Sequence, residues 1–94
     1  MTTAARQKQF ETIDDLVFRI SNATDRRFHA VDQIAGKRTK WTLVAMKPLD
    51  ERKPGKPTFD VLSRPLTTAV FIDRLETIAT VAEIAARRLE SFVD

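Results

Sequence analysis

Apolar residues recur along the last third of the chain at steps of four and three: Phe71, Leu75, Ile78, Ala82, Ala85, Leu89 and Phe92. That spacing lines one face of an α-helix. Ile72, Ala79, Ala86 and Val93 widen the stripe, while Asp73, Glu76, Thr80, Glu83, Arg87 and Glu90 fall on the opposite side. The pattern predicts one long helix over residues 67–93, with Thr67 as its cap and Leu66 and Phe71 as a hydrophobic staple. Near the other end, Phe10, Ile13, Val17 and Ile20, with Leu16 beside them, predict a second helix. Residues 2–9 are polar and expected to fray, although Thr3 is placed to cap a helix from Ala4. Thr12 with Asp15 reads either as an N-terminal cap or as a mid-helix threonine, and Ser21, Asn22, Ala23, Thr24 and Asp25 are turn chemistry that ends the element.

Between the helices the period shortens. Residues 39–47 hold the β-formers Trp41, Thr42, Leu43 and Val44, with Trp41, Leu43 and Ala45 facing one way and Thr42, Val44 and Met46 the other. Both faces are largely apolar, which predicts a central strand. Residues 28–35 fit a helix capped by Gly36 or a strand. The strand is preferred, because the central strand needs an antiparallel partner across the Gly36 turn. Pro48 stops the central strand, and a loop follows with Pro54-Gly55 at the centre of a type II turn. Residues 58–64 alternate again, Phe59 and Val61 against Asp60, Leu62 and Arg64, and predict a third strand closed by Pro65.

The expected fold is therefore α+β, a three-stranded antiparallel sheet with two helices in the order α-β-β-β-α and the long C-terminal helix packed across one face. A helix of that length, about 40 Å, overhangs strands of about 23 Å. The first helix covers the excess, or a second copy does so as a homodimer through Ala82, Ala85, Leu89 and Phe92.

Ninety-four residues fit a single domain, 1–94, and the absence of cysteine excludes disulfides and thiolate chemistry. No apolar leader or spanning segment is evident, so the chain reads as cytoplasmic, with no membrane partner. Charge sharpens the picture more than composition does. The net +3 hides a basic centre: between Arg26 and Arg64, ten cations meet four acids, a net of +6, and both flanks are mildly acidic.

The order of elements resembles that of double-stranded-RNA-binding domains, in topology alone. That family reads phosphates with lysines opening its last helix, whereas residues 67–73 here hold no cation before Arg74, and no residue carries over.

Candidate partner-binding or nucleic-acid-binding residues are Arg26, Arg27, Lys37, Arg38, Lys40, Arg52, Lys53 and Lys56. Cations with an adjacent aromatic, Lys37, Arg38 and Lys40 beside Trp41, suit phosphates and a stacked base, although a tryptophan in a central strand more often belongs to a core. His29 has no neighbour at metal-ligand spacing, Asp14 and Asp15 point about 100° apart on a helix, and Gly36 and Gly55 build no phosphate loop. No catalytic residue, metal or cofactor is expected. Two functions follow: a small non-catalytic adaptor or inhibitor that covers a larger protein partner, the class that many phage and mobile-element proteins occupy, or a nucleic-acid-binding domain using the basic segment 26–64.

Overall fold

The computed structural model describes residues 3–36 and 38–93. Helix α1 spans Thr3–Thr24, strands β1 Phe28–Ala35 and β2 Arg38–Met46 form a hairpin, and a 3₁₀ turn covers Leu49–Glu51. Two short strands, β3 Phe59–Val61 and β4 Leu66–Thr67, precede helix α2, Thr68–Val93. The class is α+β, and no helix among the described residues is long and apolar enough to cross a membrane.

Helix α1 starts earlier than its apolar pattern, because Ala4, Ala5, Arg6, Gln7 and Lys8 are good helix formers that need no packing to continue it. Thr12 is mid-helix, its hydroxyl donating to the Lys8 carbonyl oxygen at 2.9 Å. The chain leaves the helix through Asp25, whose φ of 55° is the left-handed conformation that a short polar side chain tolerates. Ser21 lies in the helix, not in the turn, and its Oγ accepts the Phe28 amide at 3.2 Å, tying the helix end to the start of β1.

β1 is a strand, as preferred, paired antiparallel with β2 over its whole length from Phe28↔Ala45 to Ala35↔Arg38, and it forms one outer edge of the sheet. Gly36 turns the hairpin with φ +67°. β2 is central: β3 pairs with it at Val44↔Val61 and Met46↔Phe59, and β4 at Trp41↔Leu66. The expected third strand, residues 58–64, is shortened to β3, and the separate strand β4 forms beyond Pro65 from Leu66 and Thr67, the residues expected to staple and cap the long helix, which begins one residue later at Thr68. The break lies at residues 62–65, where Ser63 Oγ takes the Leu43 amide at 3.0 Å in place of a backbone partner, and Pro65 has no N–H to offer.

Both helices lie on one face of the sheet. Ile13, Leu16 and Ile20 of α1, Phe28, Trp41, Leu43 and Ala45 of the sheet, and Phe71, Leu75 and Ala79 of α2 form one buried cluster. Trp41 anchors it, edge-on to Phe10 at 5.2 Å and stacked on Phe71 at 5.8 Å between ring centres.

The buried line of α2 differs from the expected stripe. It runs through Phe71, Leu75 and Ala79, with Ala82, Glu83 and Ala86 half-buried, while Ile78, Ala85 and Leu89 are exposed. The reason is packing against α1, where Phe71, Leu75 and Ala79 meet Ile13, Leu16 and Ile20; beside that seam Arg19 reaches across to Glu83 through its Nη2 and, at 3.4 Å, its Nε, so Glu83 faces the neighbouring helix. Ile78 borders a hollow of about 340 Å³ beside β3 and β4, with Leu62, Arg64, Leu66 and Arg74 also around it. The side chain of Phe92 lies outside the described residues.

Candidate functional site

With both helices on one side, the other face of the sheet is bare. Alternation along the paired strands puts His29, Val31 and Gln33 of β1, Arg38, Lys40, Thr42, Val44 and Met46 of β2, and Phe59 and Val61 of β3 on that face. Val44 is buried but lies outside the core cluster, flanked in register by His29 and Val61. Around it Val31, Phe59 and Val61 stay 49%, 42% and 63% exposed. The two strand acids, Asp32 and Asp60, stand opposite Trp41 and Ala45 and so point to the helix side. The bare face is apolar at its centre and, among the described residues, carries cations and no carboxylate.

At one end of the sheet a cleft of about 390 Å³ opens between the α1–β1 turn and the segment after β2. The left-handed turn at Asp25 delivers Arg26 and Arg27 to one wall, and Met46, Lys47, Pro48, Leu49 and Arg52 form the other. Four cations line it against one carboxylate, that of Asp25. Each cation is placed differently. Arg52 donates from Nε to the Lys47 carbonyl oxygen at 2.9 Å, which leaves its terminal nitrogens unengaged by any described carboxylate. Arg26 sits 5.7 Å over the Phe28 ring, Lys47 approaches Asp60 at 3.7 Å, and Arg27 makes no described ion pair.

The candidate cations therefore divide. Arg26, Arg27 and Arg52 converge on the cleft. Arg38 and Lys40 lie at the hairpin end of the bare face, about 23 Å away along seven residues of strand. Lys53 and Lys56 flank the exposed Pro54-Gly55 turn, where Gly55 has φ +77° and the Lys56 amide donates to the Lys53 carbonyl oxygen at 3.1 Å. Lys37 lies outside the described residues. Trp41 is 5% exposed on the helix side, its Nε1 donating to Thr68 Oγ1 at 3.0 Å, so it offers no stacking surface beside Arg38 and Lys40.

Phe18 on α1 is exposed away from the sheet, and the exposed phenylalanine of the bare face is Phe59; Lys47 joins the cleft, and neither Phe59 nor Lys47 stands out in sequence as a site residue. Phe59 shares its side of β3 with Val61, but alternation does not say which side the helices cover. Among the described residues no group of three or more His, Cys, Asp or Glu side chains is placed to hold a metal ion. Among the described residues the one perturbed carboxyl, Glu83, is on the helix side: the hydrogen bond from Arg19 holds it below the usual glutamate range, opposed by desolvation and helped by the charges of Arg19 and Arg87. Compared with known protein families, with curated proteins and with solved structures, the chain matches none.

Proposed function

We propose that this chain is a small non-catalytic interaction domain, an adaptor or inhibitor, that docks on a larger partner through the bare face of its sheet. The observation that carries the reading is that face itself: a cluster of exposed apolar side chains bordered by cations, with every strand carboxylate turned away. Such a face suits a partner surface that is negative at its rim, whether an acidic protein or one that bears nucleic acid. Direct nucleic-acid binding is the second reading, favoured by the cleft, whose Arg26, Arg27 and Arg52 make no ion pair among the described residues.

Affinity purification with the wild type and with a Val31→Glu/Val61→Glu variant, each with and without nuclease, tests the proposal. Both positions are exposed, so the variant keeps its melting temperature. The wild type recovers a stoichiometric partner that the variant loses. Equal recovery by both sinks the docking face, and nuclease sensitivity separates the two readings.

Assembly with a second copy is the companion proposal. Its seam is Ile78, Val81, Ala85 and Leu89, exposed at helical spacing along α2, and no longer centred on Ala82, which is half-buried. Light scattering at tens of micromolar reports a dimer, and Leu89→Asp returns it to monomer; a wild-type monomer ends the idea.

A further inference from the structure

We infer that the cleft at the β1–β2 end of the sheet is a phosphate-binding site, and that the ligand it takes is a single-stranded nucleic acid whose bases lie on Phe59 and the bare face. The inference rests on the bare face being a docking surface and names what docks there.

Charge comes first. Arg26, Arg27, Lys47 and Arg52 against Asp25 give the cleft a net +3, equal to the net charge of the entire chain. Only two ion pairs occur among the described residues. Arg19–Glu83 is elsewhere, and Lys47–Asp60 engages one cleft cation at 3.7 Å. Arg26, Arg27 and Arg52 thus line the cleft without a described ion-pair partner, so a bound polyanion meets cations not already neutralised. The Nε bond of Arg52 to the Lys47 carbonyl fixes one edge of its guanidinium and leaves the other, the two-pronged edge that suits phosphate oxygens, free.

Shape selects the form of nucleic acid. Among the described residues no helix lies on the bare face to enter a groove, and α2 opens without a cation before Arg74. What it presents is a strip of exposed Phe59, Val61 and Val31, beginning beside the cleft where Met46 pairs with Phe59 and ending at Lys40 and Arg38. Unstacked bases can lie on an exposed ring and valine side chains while cations at both ends hold the backbone. A duplex keeps its bases stacked inside and gains nothing from Phe59. An acidic protein segment would use the cations but has no need of the aromatic.

Fluorescence anisotropy with a labelled single strand of about 12 nucleotides, a duplex of the same length, and inorganic phosphate as competitor tests this. The strand binds at micromolar concentration in low salt and more tightly than the duplex. Affinity falls with salt at a log–log slope of about −3.5, from Arg26, Arg27 and Arg52 in the cleft and Arg38 and Lys40 at the far end at ~0.7 each. Arg27→Gln/Arg52→Gln weakens binding at least about tenfold and flattens that slope by about 1.4. Lys53→Gln/Lys56→Gln removes the same charge outside the cleft and has a smaller effect. Phe59→Ala, at an exposed position that folding does not need, weakens strand binding roughly 5- to 150-fold and leaves any duplex binding unchanged.

No strand binding at low salt overturns the inference. So do equal affinity for duplex with a silent Phe59→Ala, equal effects of the two glutamine pairs, or phosphate binding without strand binding, which would leave an isolated anion site. If anisotropy fails while Val31→Glu/Val61→Glu still releases a nuclease-resistant partner, the phosphate assignment falls and the docking face stands with an acidic protein on it. If that variant is also silent, both fall.

Discussion

Trp41 is held by an edge-on ring, a stacked ring and a hydrogen bond to Thr68, and these contacts are the firmest residue-scale commitments in the fold. Thr68→Val removes the acceptor of a largely buried indole N–H and should cost about 1–2 kcal/mol in a urea titration. Phe71, 1% exposed, is more expensive to lose: Phe71→Ala should cost about 3–5 kcal/mol, a large share of the stability of a domain this size. Ile34, 82% exposed, should change stability by no more than about 0.5 kcal/mol on truncation to Ala. Arg19 with Glu83 gives a pH signature. Glu83 is held below its ordinary range by the Arg19 hydrogen bond, so the stability it adds is present above the usual glutamate pKa and is lost as pH falls through the lowered value. Wild type should exceed Arg19→Gln in denaturant midpoint at pH 7, and the gap should close in acid. Sequence marked Trp41 as a core residue and as a stacking candidate alike; burial depends on which sheet face the helices cover, and no single residue encodes that.

At the scale of elements, the strands β1 and β2 were legible because β-branched and aromatic residues cluster in the second and a glycine stands at the turn between them. Gly36 and Gly55 both have φ near +70° with open space around a would-be side chain, so Gly36→Ala and Gly55→Ala should each cost about 1 kcal/mol through the backbone alone, read as a drop in melting temperature. β4 was not legible, since two residues between a proline and a helix have no period to detect; its pairing follows from Leu66 meeting Trp41. The face of α2 was half legible. Residues 71, 72, 75, 78, 79, 82, 85, 86 and 89 are all apolar, so two stripes fit the same helix. The choice between them is made by packing: Phe71, Leu75 and Ala79 join the cluster with Ile13, Leu16 and Ile20 of α1 and leave Ile78 exposed, and the Arg19–Glu83 pair accompanies that arrangement.

The whole molecule is thin and open. Its extents are 49 × 35 × 19 Å and its radius of gyration is 15.2 Å, against about 12 Å for a compact chain of this length. The sequence announced the basic centre, but of its ten cations Arg26, Arg27, Lys47 and Arg52 gather into a cleft, and only after β1 and β2 pair and the chain turns back at Pro48. A fold with a bare face should gain from a ligand that covers it: a saturating partner present at 100 times its dissociation constant should add about 2.7 kcal/mol, seen as a higher melting temperature. The outer edge of β1 poses a different question, that of colloidal behaviour. Eight residues of strand leave one row of backbone donors and acceptors facing solvent, with Ile34 beside them, and an edge of that kind invites another chain to add on. Asp32 is the one charge in the row of Phe28, Ala30 and Ile34, and a carboxylate there must be stripped of water before a second strand can zip against the first. Asp32→Val should leave the monomer folded yet raise turbidity and amyloid-dye fluorescence at high concentration. A residue that breaks the apolar pattern of its strand would thus act as a gatekeeper against edge-to-edge strand pairing.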